Sequence, residues 1–314
     1  MTLAAGAGAT GGVLVGLRRG HATHPDGPDP SASTYARSVE PPAGLGPRAL
    51  DDATLPPVSR TGHGRATQNI ELWVSEQPID VARGIDIGAW TFNGAIPGPL
   101  LRATEGDELT IHLRNLGNHP HDLHLHGRHD VSEDGWEPVP PGGQASYHIT
   151  AGPFGLHPYH CDTTPASEHI AHGLYGMLIV DPRSGRPPGR EVALVLSGFD
   201  IDGDGRNEVY GWNGVAGFYE RFPIKVPVGD LVRVYLLNMV GDDPAASFHL
   251  HAEVFDVYRS GTRLVPDERT DVVTLAQAER AIVEFRLPRR GRYMFHPHQP
   301  HMADRGAMGW FSAV

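Results

Sequence analysis

The chain has 314 residues, of which 39% are hydrophobic, and its 39 glycines and 28 prolines favour many short strands and turns over a disordered chain. Its 37 acidic residues outnumber its 26 basic residues and give a net charge of −11, which argues against a nucleic-acid partner. A single cysteine excludes an intramolecular disulfide, so the sequence carries no signature of an oxidising compartment.

The N-terminal part, residues 1–66, is interpreted as a leader or linker. Residues 2–17 are small and apolar and precede Arg18 and Arg19, which resembles the apolar region of an export signal without its basic segment. This run is shorter than the roughly 20 residues of a membrane span, so we expect no integral membrane association. We expect an exported protein, either extracellular or in the periplasm or cell envelope, with a signal whose start is truncated here.

From about residue 67, short apolar runs alternate with turn signals, and no long helical period is present. Residues 110–113 and 232–235 show the period-two alternation of half-buried strands. Residues 91–99, which contain Asn-Gly and Pro-Gly-Pro, predict a turn-rich connection near the start of the first domain.

Three residues near the middle of the chain can form one metal site. His121, Cys161 and His169 are the ligand types of a trigonal His₂Cys site with a weak or absent axial ligand, the blue-copper arrangement. Bound copper would hold Cys161 as a thiolate at neutral pH. An isolated cysteine can also be a small buried hydrophobe, but the adjacent Tyr159-His160 and the spacing from His121 favour the metal site.

Prolines and glycines crowd between Asp181 and Arg190 and predict a domain boundary. Beyond it, residues 200–205 carry the alternating aspartates of a calcium loop. The twelfth position, where such a loop has a bidentate glutamate, is Gly211, and no helical pattern flanks the motif. We interpret it as a polar β-turn, with calcium binding as the alternative.

The second half of the chain repeats the first. In each half a Gly-Asp turn, at residues 106–107 and 229–230, precedes a strand that ends in asparagine, and His-Leu-His follows. An aromatic strand then runs into histidine, and a Gly-rich apolar strand closes the half. We predict a duplicated β-sandwich domain, with copies at residues 67–185 and 186–314.

Histidines also recur in pairs spaced two residues apart. The three pairs are His124/His126, His249/His251 and His296/His298. Because side chains at i and i+2 of a strand lie on the same face, each pair directs two imidazoles toward one point. Their matching places in the repeat favour metal ligation over exposed surface positions.

These motifs together resemble those of the two-domain, laccase-like multicopper oxidases with type 1 copper in the first domain, which are related to copper nitrite reductases. The resemblance spans roughly residues 68–314. It is carried by Thr91-Phe92-Asn93-Gly94-Ala95-Ile96-Pro97-Gly98-Pro99, by the His-x-x-His-x-His motif at 121–126, by His160-Cys161, and by His-Ile-Ala-His-Gly-Leu-Tyr-Gly from 169. It implies an all-β fold of two cupredoxin-like Greek-key β-sandwich domains.

The resemblance also implies a set of copper ligands. Type 1 copper would take His121, Cys161 and His169, with Leu174 at the axial position. A trinuclear cluster of type 2 and type 3 copper would take His124, His126, His160, His249, His251, His296 and His298. About four coppers per subunit are expected if the cluster is complete.

Two residues depart from the family pattern. Asp162 stands where the family usually has a histidine after the cysteine, which leaves seven cluster histidines in place of eight. Asp162 can ligate, His157 or His172 can substitute, or one type 3 copper is held weakly. Leu174 stands where many members have methionine, and a non-coordinating axial residue should raise the reduction potential.

The family resemblance implies an oxidase that passes electrons from a small reductant, such as a phenol or a metal ion, to dioxygen. It also implies a homotrimeric ring whose clusters lie between neighbouring subunits. Asp122, Asp134 and Asp162 lie near ligand motifs and are candidates for supplying protons, although each also suits a loop or turn role.

Two other functions remain open. A copper nitrite reductase would share the trimer and the type 1 site, but it needs an acidic residue where this chain has His124, and it uses fewer histidines in the second domain. A copper-binding electron carrier would keep the blue site and have a cluster decayed through Asp162.

Overall fold

The computed structural model describes Leu55 and residues 64–314, so the predicted leader lies almost entirely outside the described residues. The described part is built mainly of strands, and the predicted all-β fold is confirmed. None of its helices has the length and apolar character to cross a membrane.

The first half of the fold consists of two four-stranded sheets, ordered β2-β1-β4-β6 and β3-β8-β7-β5. Its strands are β1 (Thr67–Ala82), β2 (Ile85–Phe92), β3 (Leu101–Thr104), β4 (Glu108–Asn115), β5 (His124–Leu125), β6 (Gln144–Thr150), β7 (Gly155–His160) and β8 (Tyr175–Asp181). A 3₁₀ turn (Val131–Glu133) precedes β6, and helix α1 (Ala166–Ala171) connects β7 to β8.

The second half has a six-stranded sheet, β10-β9-β12-β17-β14-β15, and a five-stranded sheet, β11-β19-β18-β13-β16. Its elements are β9 (Arg190–Phe199), β10 (Val209–Trp212), α2 (Phe218–Arg221), β11 (Ile224–Val226), β12 (Leu231–Asn238), β13 (Ala246–Leu250), β14 (Phe255–Arg259), β15 (Glu268–Thr270), β16 (Val272–Leu275), β17 (Arg280–Arg286), β18 (Gly291–His296), α3 (Pro300–Asp304) and β19 (Gly309–Ala313).

Alternating side chains explain how each pair of sheets encloses a core. In β4, Leu109, Ile111 and Leu113 are buried, whereas the residues between them are more exposed. They pack against residues of the facing sheet, including Tyr159 and Leu178. A second core, rich in phenylalanine, fills the other half in the same way.

A glycine on the closing strand of each half allows close packing between neighbouring strands. Gly176 pairs with Tyr159, and a Cβ at Gly176 would clash with the Tyr159 ring. Gly309 pairs with Phe295 in the second half, and a Cβ there would clash with the Phe295 ring. The same backbone approach therefore recurs in both halves, as the sequence repeat predicts.

A third apolar cluster joins the two halves, with side chains such as Met177 and Ile179 of β8 packing against Val195 and Leu237. Buried ion pairs lie beside it. Arg102 Nε is 2.7 Å from Asp181 Oδ2, and Arg102 Nη1 is 2.7 Å from Glu191 Oε2, which belongs to the second half. Hydrophobic and charged contacts thus both hold the halves together.

Candidate metal centres

Three elements bring His121, Cys161 and His169 into one buried group. His121 is fixed before β5 by two backbone hydrogen bonds with Val139, Cys161 directly follows β7, and His169 lies in α1. His169 Nδ1 lies 3.1 Å from both the Cys161 Sγ and the His121 Nδ1, and the Sγ is 3.9 Å from the His121 Nδ1. All three side chains belong to residues that are at most 4% exposed.

The protonation of this group fits a soft, positively charged metal ion. Burial, with a smaller contribution from Asp122, raises the pKa of the Cys161 thiol to about 12, so a thiolate here requires a nearby cation. Burial and the neighbouring His169 lower the pKa of His121 to about 4, which keeps the imidazole neutral as a ligand must be. The donor set is therefore suited to copper.

Leu174 connects the two loops that carry this group. Its carbonyl accepts a hydrogen bond from the Cys161 N–H at 3.0 Å, and its own N–H donates to the His169 carbonyl at 3.2 Å. The residue is fully buried, and its side chain has no atom that can ligate a metal. The predicted axial position is therefore adjacent to the group and apolar.

Asp122 holds the chain just after Cys161. Its backbone N–H donates to the Cys161 Sγ at 3.3 Å, while its carboxylate accepts from the Asp162 N–H at 2.6 Å and from the Thr163 hydroxyl at 2.8 Å. These contacts position the loop that follows Cys161. Asp122 therefore has the loop role that its sequence position also allowed, besides proton supply.

A second group contains His124, His126 and His160. His124 and His160 are partners across the β5–β7 pair, and His126 Nε2 lies 3.1 Å from His160 Nε2. Because His160 precedes Cys161 in the chain, this group and the His₂Cys group are one peptide bond apart. Burial, then the neighbouring His160 and His124, lowers the pKa of His126 to about 3, so the His126 imidazole favours the neutral form.

Asp134, a residue of the same region, orients the second group. The Asp134 Oδ1 is 2.9 Å from His124 Nδ1 and 3.3 Å from His129 Nε2. A carboxylate on Nδ1 leaves the His124 Nε2 free to ligate a metal, as second-layer carboxylates do in many metal sites. His129 itself was not singled out by any sequence motif.

A third group lies in the second half of the chain. His249 of β13 pairs with His296 of β18, and His251 Nε2 lies 2.9 Å from His296 Nε2. The His298 ring centroid is 5.1 Å from that of His249. His251 and His298 are exposed, so this group opens to the surface.

The structure places the three residues considered for the missing ligand in different surroundings. Asp162 is exposed and contacts Asp122 through its backbone N–H. His172 stacks on Trp90 beside the His₂Cys group rather than near the second group. His157 is buried, donates from Nε2 to the Pro153 carbonyl oxygen at 2.7 Å, and has a buried Nδ1 with no hydrogen-bond partner in the described structure.

A fourth group of possible ligands lies in the loop between β9 and β10. Carboxylate oxygens of Asp200, Asp202, Asp204 and Glu208 lie within 4.8 Å of one another. The calcium-loop pattern expects a carboxylate at position twelve, Gly211, and therefore does not include Glu208, which comes earlier and is buried. Within the loop the Asp200 carboxylate accepts hydrogen bonds from the Gly203 and Gly205 backbone N–H groups, and the four carboxylates leave the loop strongly negative.

Comparison with known proteins identifies two consecutive matches to multicopper oxidase family models, at residues 74–185 and 187–314. A solved multicopper oxidase structure superposes with a TM-score of 0.80 at 39% identity, covering 85% of this chain and 96% of the other. The copper-containing nitrite reductase of Neisseria meningitidis is 29% identical over 269 residues, which cover 78% of this chain and 68% of that protein. The copper nitrite reductase of Nitrosomonas europaea superposes with a TM-score of 0.69 at 27% identity, covering 79% of this chain and 94% of the other.

Proposed function

The chain belongs to the multicopper oxidase family, and we propose on this basis that it couples one-electron oxidation of a small reductant, such as a phenol or a metal ion, to reduction of dioxygen to water. In this proposal His121, Cys161 and His169 hold type 1 copper, with Leu174 at the axial position. The seven histidines of the second and third groups, His124, His126, His160, His249, His251, His296 and His298, hold the trinuclear cluster. Bound copper supplies the redox chemistry, and the protein fixes its ligands and its potential.

The observation that carries this proposal is the number and pairing of histidines in the second and third groups. Each group has three imidazoles whose ligating nitrogens lie within 4.8 Å of one another, and His298 adjoins the third. One copper does not need so many imidazole ligands, whereas a cluster of several coppers does.

The chain itself contributes the connection between the two kinds of site. His160 and Cys161 are consecutive residues, and the His160 Nδ1 is 3.0 Å from the Cys161 carbonyl oxygen. We propose that electrons pass from the Cys161 side of this peptide to the His160 side. Asp122 holds the cysteine loop in place, and Asp122 and Asp162 remain candidates for moving protons.

The missing eighth ligand has two candidates in this proposal. His157 is adjacent to the second group, because a Cβ on Gly127, next to His126, would lie 3.5 Å from His157 Nδ1. Its unpartnered Nδ1 supports a ligand role. Asp162 is exposed, so in this proposal it ligates copper only where a neighbouring subunit covers it.

We also propose the organisation of the molecule. The chain divides into a leader at residues 1–66 and cupredoxin-like domains at 67–185 and 186–314, and the mature protein is exported. It forms a homotrimer in which the second group of one subunit meets the third group of the next, so that each cluster is completed between subunits.

Nitrite reduction is the second candidate function, since the similarity to copper-containing nitrite reductases covers most of this chain. Asp162 supports it, because those enzymes also lack a histidine after the cysteine. His124 opposes it, since it occupies the position where such an enzyme needs an acidic residue. A third candidate, an electron carrier without turnover, keeps only the blue site.

Oxygen uptake distinguishes the three functions. The copper-loaded protein is mixed with a phenolic or metal reductant, and oxygen and nitrite are followed together. We expect four equivalents of reductant to be oxidised per dioxygen consumed. Nitrite consumption under anaerobic conditions would favour the reductase, and a blue protein that consumes neither would favour the carrier.

A further inference from the structure

Trp90 lies between two imidazole rings and also contacts both histidines of the His₂Cys group. His172 stacks on the indole at a centroid distance of 4.3 Å and an interplanar angle of 17°, and His119 stacks at 4.7 Å and 28°. The ring centroids of His169 and His121 lie 4.8 Å and 5.2 Å from the indole in edge-on contact. An unbroken set of ring contacts therefore runs from His172 through Trp90 to His169.

Backbone contacts fix this arrangement. The Trp90 N–H, on β2, donates to the His172 carbonyl at 2.9 Å, and His172, just after α1, donates from Nδ1 to the carbonyl of Glu168 within that helix at 2.8 Å. The helix that carries His169 therefore also holds His172 against the indole. Trp90 is only 8% exposed, so a molecule in solution reaches it through its neighbours.

A cavity of about 490 Å³ opens beside His172. Its walls are the outer part of β2, the end of α1 and the loop after β9, and they include Asp86, Ile87, His172, Asp200, Ile201 and Asp202. His119, on the other face of Trp90, does not line it. The cavity thus connects solvent to one side of the ring contacts.

The lining combines negative charge with apolar surface. Three carboxylates line the cavity, whereas its described lining includes no lysine or arginine. Burial and then the charges of Asp202, Asp200 and Asp204 raise the pKa of nearby Glu208. Ile87 and Ile201 are partly buried against the core and supply apolar walls.

We propose that His172 and Trp90 form the path by which electrons reach type 1 copper, and that the cavity beside His172 binds a cationic aromatic amine as the reductant. This inference rests on the proposed function. The amine loses one electron and leaves as its one-electron-oxidised radical, while Cu(II) at the His₂Cys group becomes Cu(I), so the electron count balances without a proton. Carboxylates attract the positive charge and the imidazole face stacks on the ring.

Rapid anaerobic mixing tests the path directly, since loss of the blue colour reports reduction of type 1 copper. The reductant is an aromatic amine that carries a trimethylammonium group, and the comparison is its sulfonate analogue. We expect the cation to reduce the protein faster, with an advantage that falls as salt is added. In His172→Ala the limiting rate should fall about tenfold, as expected when a positioned contact is lost.

Matched variants separate this path from a general disturbance of the site. His119→Ala removes a ring that stacks on the same indole but lies outside the cavity, and it should leave the limiting rate near that of the unchanged protein. Asp202→Asn should raise the concentration of cation needed for half-saturation about threefold, within the range of electrostatic focusing in a cleft. Asp230→Asn makes the same charge change in a distant exposed turn and should have no effect.

A second measurement does not depend on turnover. The full-length reduced copper protein, labelled with 5-fluorotryptophan, is titrated with phenyltrimethylammonium, a redox-inert aromatic cation, and the fluorine resonance that disappears in Trp90→Phe is followed. We expect this resonance to shift and to reach saturation as the cation binds. In Asp202→Asn the cation should bind more weakly. Tight saturation by Mn²⁺ with no response to the aromatic cation would replace the amine by a metal ion and overturn the assignment.

The outcomes also separate this inference from the proposed function. A copper-loaded protein that shows no blue absorption would overturn the proposed function and the path together. A blue protein in which His172→Ala and His119→Ala are reduced at the same rate as the unchanged protein would overturn the path alone.

Discussion

Cys161 and its neighbours illustrate how single residues set the properties of the His₂Cys group. The thiol is buried, and burial raises its pKa. It therefore stays protonated unless a bound cation stabilises the thiolate. Leu174 is hydrogen-bonded through its backbone to both Cys161 and His169 and brings no ligating atom. The reduction potential should therefore respond to the residue at 174.

Replacing Leu174 by methionine tests this point. A thioether at the axial position stabilises oxidised copper, so Leu174→Met should lower the reduction potential of type 1 copper in a spectroscopic redox titration. The side chains are similar in volume, so the loss of stability should stay below about 1.5 kcal/mol. Leu178→Met, a similar change in the same apolar core, serves as control, and an equal shift in both variants would argue against an axial role for Leu174.

Asp134 offers a second test at the residue scale, because its carboxylate contacts both His124 and His129. Asp134→Asn should weaken copper binding at the second group about 10- to 100-fold, the usual effect of losing an orienting carboxylate. Competition with a copper chelator measures this. Asp130→Asn changes an exposed carboxylate of the same segment that contacts Ser132, and it should bind copper unchanged.

At the scale of elements, the alternation of residues predicted β4 correctly, because that strand buries one face against a facing sheet. The half-buried strand predicted at residues 232–235 is wrong, since β12 is buried on both faces: Val234 packs in the core of the second half and Tyr235 in the cluster between the halves. The spacing of His249 and His251 predicted two adjacent imidazoles, and the structure places their ring centroids 4.9 Å apart. His251 lies just beyond the end of β13, so the strand alone does not determine this geometry.

Other features could not be predicted from local patterns. Trp90 approaches His119 and His172 only because β2 packs against the segment that follows α1, which is a tertiary contact without a motif. Glu208 was missed because the calcium-loop pattern places its last carboxylate further along the chain. Periodic patterns report which face of a strand is buried, whereas contacts between distant elements depend on the whole fold.

The buried charges between the two halves give a prediction at this scale. Arg102 contacts Asp181 on β8 and Glu191 on β9, and its side chain is 3% exposed. Arg102→Ala leaves the buried Asp181 without its cation and leaves Glu191 with Arg233 alone, and it should lower the free energy of unfolding by about 3–5 kcal/mol in denaturant titrations. Arg65→Ala removes the exposed pair with Glu108 and should cost at most about 1 kcal/mol. Equal costs would contradict a stabilising role for the buried pairs.

For the whole molecule, the central feature is that the histidines proposed for the copper cluster form two separate groups. One belongs to the first half and is partly buried, and the other opens to the surface of the second half. In the proposed ring, each group of one subunit meets the complementary group of a neighbour.

Mixed oligomers test this arrangement. His126→Ala and His251→Ala each remove a ligand from one group, so each variant alone should lack oxidase activity. Co-expressed in one cell, they should regain activity, because about a quarter of the contacts would join two intact groups by random assembly. Clusters formed within a single subunit would give no recovery.

The most direct test of the whole account is a copper count on the purified oligomer, combined with electron paramagnetic resonance. We predict about four coppers per subunit, with a type 1 signal, a type 2 signal and a coupled pair that gives no signal. Two coppers per subunit, both giving signals, would contradict an oxidase with a trinuclear cluster.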